Sequence, residues 1–208
     1  MPAPRSSRQA RSHLRRQQIL AAALACFTET GTEQATVPEI GRRAGASIGS
    51  IYHQFSSKEG VAAALYLEGL RRYQQGLLAV LVEAPAARPG VFAVVAYHLS
   101  WAEREEPWAR FLLEARRADF MAGHEEDIRN LNREFAQALA EWFRPHVTSG
   151  AIRRLPIDLY PAILLGPSHE WVRGRLGGRT VTPRLKAANA LGEAAWQALA
   201  AQPRPHSS

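Results

Sequence analysis

Between Ser47 and His53 the chain reads Ser-Ile-Gly-Ser-Ile-Tyr-His. These are hydroxyls, a glycine, a phenol and an imidazole, with no acid among them. Small side chains at the start of a helix let its backbone approach another surface, while hydroxyl, phenol and imidazole groups exchange hydrogen bonds. This is recognition chemistry rather than bond-making chemistry, and a polyanion with readable edges suits it. Thr36, at a helix start, offers its hydroxyl and nearby amides to anionic oxygens, and Tyr52 and Lys58 reach such oxygens too. The charge distribution agrees. Residues 1–18 hold Arg5, Arg8, Arg11, Arg15 and Arg16 and no acid, and residues 1–60 hold eight Lys/Arg against four acids, in a chain of net charge +7. A basic end of this kind fits nucleic acid, and a solubilising tail has the same composition.

Bond-making alternatives find little support. Glu105-Glu106 and His124-Glu125-Glu126-Asp127 bring acids and a histidine together in sequence, but adjacent helical residues diverge and do not form one site. The acids at 125–127 suit a helix N-terminus. Position 128 is Ile, so no H-E-x-x-H metal motif exists, and there is no Walker glycine loop or G-x-S-x-G. Cys26 lies on an apolar stripe and reads as core. No catalytic residue, metal site or cofactor is expected, and the chain does not read as an enzyme.

The elements that position these residues are helical. The apolar share of 46% supports a core and the charged share of 22% suits a globular chain. Residues 1–11 read as a flexible basic arm. Ile19, Ala22, Ala23, Cys26 and Phe27 recur at helical spacing, predicting a helix over 12–30 that stops at Gly31. Thr36-Val37-Pro38-Glu39 predicts a capping box, with Glu39 reaching back to the cap. The short helix it starts ends at Gly45. Ser47 caps a second short helix to about His53, and Ser57 caps a longer one from Lys58 to about Val82. Pro85 to Pro89 reads as a turn. Further helices are expected near 90–104, 106–121, 125–147, 157–176 and 182–201, with a proline at 167 that would kink the fourth. No segment alternates as a strand. The expected fold is all-α with about nine helices: an N-terminal three-helix domain over 12–58, then a helical domain over 59–208.

Two capped short helices joined by Ala44-Gly45-Ala46 match a helix-turn-helix, whose second helix enters the major groove. Residues 16–70 resemble the DNA-binding domain of the TetR family of bacterial repressors. The similarity lies in Ile19–Gly31, in T-V-P-E-I-G-R-R-A-G-A-S at Thr36–Ser47, in G-S-I-Y-H-Q-F at Gly49–Phe55 and in S-K-E-G at Ser57–Gly60. Ile48 departs from the family's usual polar residue, which leaves an apolar contact to a thymine methyl as its role. Gly60 and Val61 replace a bulkier residue. The resemblance implies a homodimeric repressor on a palindromic operator, released by a small-molecule effector. The expected DNA-contacting residues are Thr36, Arg43, Ser47, Ile48, Gly49, Ser50, Tyr52, His53 and Lys58.

The second domain is then expected to dimerise and to bind the effector. Leu159, Ala162, Ile163, Gly166 and Trp171 give one helix an apolar side, and Leu185, Ala188, Leu191, Gly192, Ala195, Trp196 and Leu199 give the last a stripe rich in small residues. Two such pairs make an intermolecular four-helix bundle, or else pack only within the subunit. Aromatic residues crowd 92–142, and the expected pocket residues are His98, Trp101, Trp108, Phe111, Glu114, Arg117 and His169. Each of these also suits an ordinary core or ion-paired position. No uninterrupted apolar run is long enough to cross a membrane. One cysteine excludes an internal disulfide, which favours a cytoplasmic protein. A constitutive DNA-binding protein without effector, and a helical carrier or enzyme with a vestigial helix-turn-helix, are the rival readings.

Overall fold

A computed structural model of the chain describes residues 5–115 and 123–201. Arg117 lies outside these residues. Among the described residues there are nine helices: α1 (Arg5–Gln34), α2 (Val37–Ala44), α3 (Ile48–Phe55), α4 (Lys58–Glu83), α5 (Ala87–Arg104), α6 (Glu106–Ala115), α7 (Glu125–Thr148), α8 (Leu159–Leu176) and α9 (Arg184–Leu199). No strand is present among them, only an isolated bridge between Ile152 and Ala200.

Several boundaries differ from the sequence expectation for local reasons. α1 begins at Arg5, ahead of the expected start at residue 12, and no proline or glycine lies between Arg5 and Thr30 to break it. Gly31 interrupts α1 at φ 81°, and one more helical turn follows it. The capping box is only half formed. Thr36 Oγ1 accepts from the Glu39 amide at 3.4 Å, but the Glu39 carboxylate turns instead to Arg42 and Arg43. α5 starts at Ala87, inside the stretch read as a turn, because proline is tolerated in a first helical turn. Pro145 lies inside α7 and Pro167 inside α8, neither ending its helix.

The chain packs as two compact units. One unit holds the described residues up to Leu70 together with those from Pro107 to Ile128; the other holds Arg71 to Glu106 and Arg129 onward. In the first unit, Ile19, Ala23, Ile40, Ile51, Val61 and Leu65 are fully buried. Phe27 of α1 stacks on Phe111 of α6 with ring centroids 5.8 Å apart, and Gly69 lets Trp108 lie against α4.

In the second unit α5 packs along α8 and α9. Its core stripe runs through Val91, Val94, Val95 and Leu99. Each such side chain contributes about 1.5–3 kcal/mol on burial. The small-residue stripe of α9 serves this packing: Ala188, Gly192, Ala195 and Leu199 are buried within the subunit, and a Cβ on Gly192 would lie 2.9 Å from the Phe92 ring. That face of α9 therefore packs within the subunit, the second of the two arrangements its sequence allows. What α8 and α9 leave exposed are Leu159, Ala162 and Gly166 on one and Leu185, Ala190 and Ala194 on the other.

Candidate nucleic-acid interface

The helix-turn-helix is built from local signals. α2 buries Val37 and Ile40, and α3 buries Ile51 and Phe55. Between them Gly45 adopts φ 59°, ψ 33°, the left-handed conformation that costs a residue with a Cβ about 1–2 kcal/mol. Gly41 permits the tight return, since a Cβ there would meet the Ala46 carbonyl oxygen at 2.9 Å. Ser47 caps α3, its Oγ accepting from the Ser50 amide at 3.2 Å.

The inner face of α3 being committed to core, its outer face is fixed by the 3.6-residue period. Ile48 is 46% exposed and Tyr52 48%, and Ser47, Gly49 and His53 are exposed beside them. Ser50 is half-buried. Around Gly49 there is open space within 4 Å of where a Cβ would stand. The result is an acid-free surface with a bare backbone at its start, able to approach a duplex closely.

Two of the expected DNA-contacting residues are already engaged within the protein. The Arg43 guanidinium grips both Glu29 oxygens at 2.8 and 2.7 Å and gives its Nε to Glu39 at 2.7 Å. Hydrogen bonds from Arg42 and Arg43 hold the Glu39 carboxyl down to about 2, and the bond from Arg43 lowers Glu29. Arg43 thus ties α2 to α1 and does not present a free guanidinium. Lys58 donates to the Glu33 carbonyl at 2.8 Å, which leaves two further ammonium hydrogens for another acceptor. Thr36 is exposed at the start of α2.

Two arginines that the sequence offers only as charge prove to position the motif. Arg15 of α1 donates to the Gly45 carbonyl at 2.9 Å, clamping the turn. Arg16 lies over the Phe55 ring, 4.6 Å from its centroid, against the end of α3. A basic residue in α1 carries no sequence mark that distinguishes a clamp from a solvated charge.

The expected pocket residues divide between the units. Trp108 and Phe111 are core of the first unit, where Glu114 is exposed. In the second unit His98, Trp101 and His169 come together. The His98 and His169 rings are 4.5 Å apart, and Tyr73, which sequence reasoning missed, contacts His98 and Trp101 at 5.6 and 5.0 Å. Among the described residues no cluster of His, Cys, Asp and Glu could hold a metal ion.

Residues 19–65 match the family model described as bacterial regulatory proteins of the tetR family. Over 59 residues the chain is 46% identical to the HTH-type transcriptional repressor AcnR of Corynebacterium diphtheriae, covering 28% of this chain and 31% of that one. Over 60 residues it is 45% identical to the HTH-type transcriptional regulator BetI of Serratia proteamaculans, covering 29% and 28%. These matches thus span about three tenths of each relative's length. In fold, the chain is similar to a TetR family transcription regulator from Marinobacter aquaeolei, with TM-score 0.78, 18% identity and coverage of 93% and 100%. It is also similar to the regulator FadR of Bacillus subtilis, solved with stearoyl-CoA, with TM-score 0.74, 21% identity and coverage of 86% and 96%.

Proposed function

The chain carries a TetR-family N-terminal domain on a TetR-type fold, and we propose that it is a DNA-binding transcriptional repressor. It binds a palindromic operator as a homodimer and is released by a small molecule held in the second unit. The observation that carries this reading is the outer face of α3, where Ser47, Ile48, Gly49, Tyr52 and His53 are exposed and no acid intervenes. A helix whose inner face is core and whose outer face sets Ile48 and Tyr52 among small and hydroxyl side chains, with no acid, is suited to the major groove. Lys58, Thr36 and the Ser50 hydroxyl border it and serve phosphate oxygens. Arg43 acts through geometry, holding α2 against α1.

Dimerisation uses the faces of α8 and α9 that the subunit leaves uncovered. Leu159 is 40% exposed and Leu185 69%, and Ala162 and Gly166 let a second pair of helices approach closely. Two α3 helices then read half-sites about 34–36 Å apart, or a multiple of this. An effector acts by favouring a different separation of these helices, so effector and duplex oppose each other. FadR, of the same fold, was solved with a small molecule bound, which supports an effector of some kind here. No described helix is long and apolar enough to cross a membrane, and a cytoplasmic place with the duplex fits the proposal.

The test is selection of binding sites from a random duplex library with the full-length protein, alongside light scattering. The expected result is a dimer that enriches an inverted repeat, with affinity falling steeply as salt rises. A protein that stays monomeric at micromolar concentration and enriches no sequence overturns the proposal.

A further inference from the structure

The first turns of α1 run ahead of the residues that hold the helix to its unit. Among the described side chains of α1, burial begins at Ile19, and Arg15, Arg16 and Gln17 are half-buried. Residues 9–14 are exposed, one after another around the helix. A short helix with no buried face is marginal in water, and one that is polar all round needs compensating ion pairs. The sequence supplies no acid for them: Arg5, Arg8 and Arg11 lie in this segment, and the first acid of the chain is Glu29. The arginines also stand toward the end of α1 where the helix dipole is positive. Charge thus opposes this segment in the free protein, and a polyanion laid against it reverses the sign of both effects.

Its place identifies the polyanion. Arg15 donates to the carbonyl of Gly45 at 2.9 Å, two residues before Ser47 caps α3, and Arg16 lies over the Phe55 ring. α1 is therefore fastened to the helix-turn-helix at residues 15 and 16. The ten residues before them, about 15 Å of helix, continue from beside the start of α3. Arg11 stands one turn from Arg15 on the same side of α1 and is exposed. The basic segment is thereby continuous with the acid-free outer face of α3. Its only apolar residues are Ala10 and Leu14, too few to give the apolar face with which a basic helix enters a lipid surface.

We propose that residues 5–14 of α1 are a second duplex contact, lying along the phosphate backbone beside the groove that α3 reads. This rests on the DNA-binding reading above and extends it. Phosphate contacts fix position and carry no sequence information directly, so the segment adds affinity and leaves sequence preference to α3. Its 15 Å matches about four base-pair steps, so the operator extends beyond the bases that α3 touches.

The experiment uses the full-length protein on its selected duplex, with Arg8→Ala and Arg11→Ala combined, and with lysine at the same two positions. Alanine is the strongest helix former, so the helix is kept while a dimer loses four positive charges. Each phosphate contact adds about 0.9 to the slope of log affinity against log salt. The alanine variant is expected to bind about tenfold more weakly at low salt, with a slope shallower by about 3 to 4. Its preference for the selected duplex over a random one stays unchanged, and the lysine variant keeps most of the affinity. Trimming the duplex to the bare inverted repeat weakens the natural protein similarly and the alanine variant hardly at all. The melting temperature of the free alanine variant does not fall. Unchanged affinity and slope in the alanine variant overturn the proposal. So does a loss that lysine fails to rescue, a loss of sequence preference, or a lowered melting temperature. Phosphatidylserine vesicles are the control: binding to them that the alanine variant loses, with duplex affinity intact, assigns the segment to lipid instead. A natural protein that binds no duplex sinks the DNA-binding reading and this proposal together, whereas tight duplex binding indifferent to the alanines sinks this one alone.

Discussion

Three glycines lie within nine residues of the helix-turn-helix, and replacing each by alanine separates folding from recognition. Gly49 is in the first turn of α3 with open space where its Cβ would stand. Gly49→Ala removes backbone entropy from the unfolded chain and should stabilise the fold by about 0.5 kcal/mol, the low end for a helical glycine because first-turn positions gain least. For a chain of this size that corresponds to roughly 1–2 °C in melting temperature. The new methyl projects from the exposed start of α3, where the backbone approaches the duplex, so operator affinity should fall about tenfold, or ~1.4 kcal/mol. Gly45→Ala provides the contrast. Its surroundings are equally open, but its φ of 59° makes the change cost about 1–2 kcal/mol of stability. Gly41→Ala is the third case, its Cβ forced to 2.9 Å from the Ala46 backbone oxygen, so the turn itself must shift and both stability and affinity should fall. Thermal denaturation and fluorescence anisotropy on the selected duplex read the two quantities. If Gly49→Ala stabilises the protein and leaves duplex affinity unchanged, the start of α3 does not approach DNA. If Gly49→Ala destabilises it, the open space at that position is wrong.

Arg15→Ala removes the donor to the Gly45 carbonyl and should cost about 1 kcal/mol in urea unfolding, with a larger proportional loss of duplex affinity because the turn between α2 and α3 loosens. Ser56 holds φ 64° as a non-glycine residue between α3 and α4; Ser56→Gly should therefore raise stability by about 1 kcal/mol in the same assay. The depressed pKa of buried His98 means that the unfolded chain binds a proton the folded one refuses. Its contribution is complete above the unfolded value near 6.5 and is lost as pH falls toward 3. Between pH 7 and 5 this single group should cost about 2 kcal/mol of stability. His146, also lowered by burial, adds in the same direction. Glu39 and Glu29, lowered by their arginines, act only below about 4.5. His98→Gln should flatten the decline between pH 7 and 5; an unchanged slope would show that His98 is not the neutral buried group described.

The amino-acid sequence by itself determined the motif from Thr36 to Phe55, because everything that makes it is local. Thr36 and Ser47 cap amides three residues ahead of them, Gly45 supplies the one left-handed residue, and the spacing of Ile40, Ile51 and Phe55 decides which faces turn inward. Caps, turns and helical periods act within a few positions, so residue order carries them. Only the tertiary structure decided which groups each face would meet. Arg43 was expected among the DNA-contacting residues, and α1 brings Glu29 to its guanidinium across fourteen positions. The small residues of α9 suited a second subunit equally well until Phe92 of α5 filled the space beside Gly192. His98 had the composition of a pocket residue, but its hydrogen bond is to Tyr73, twenty-five positions away. Helical spacing says that a face is buried, whereas the identity of its neighbour is set by the packing of the whole chain, because side-chain contacts act through space and leave no periodic trace in the sequence.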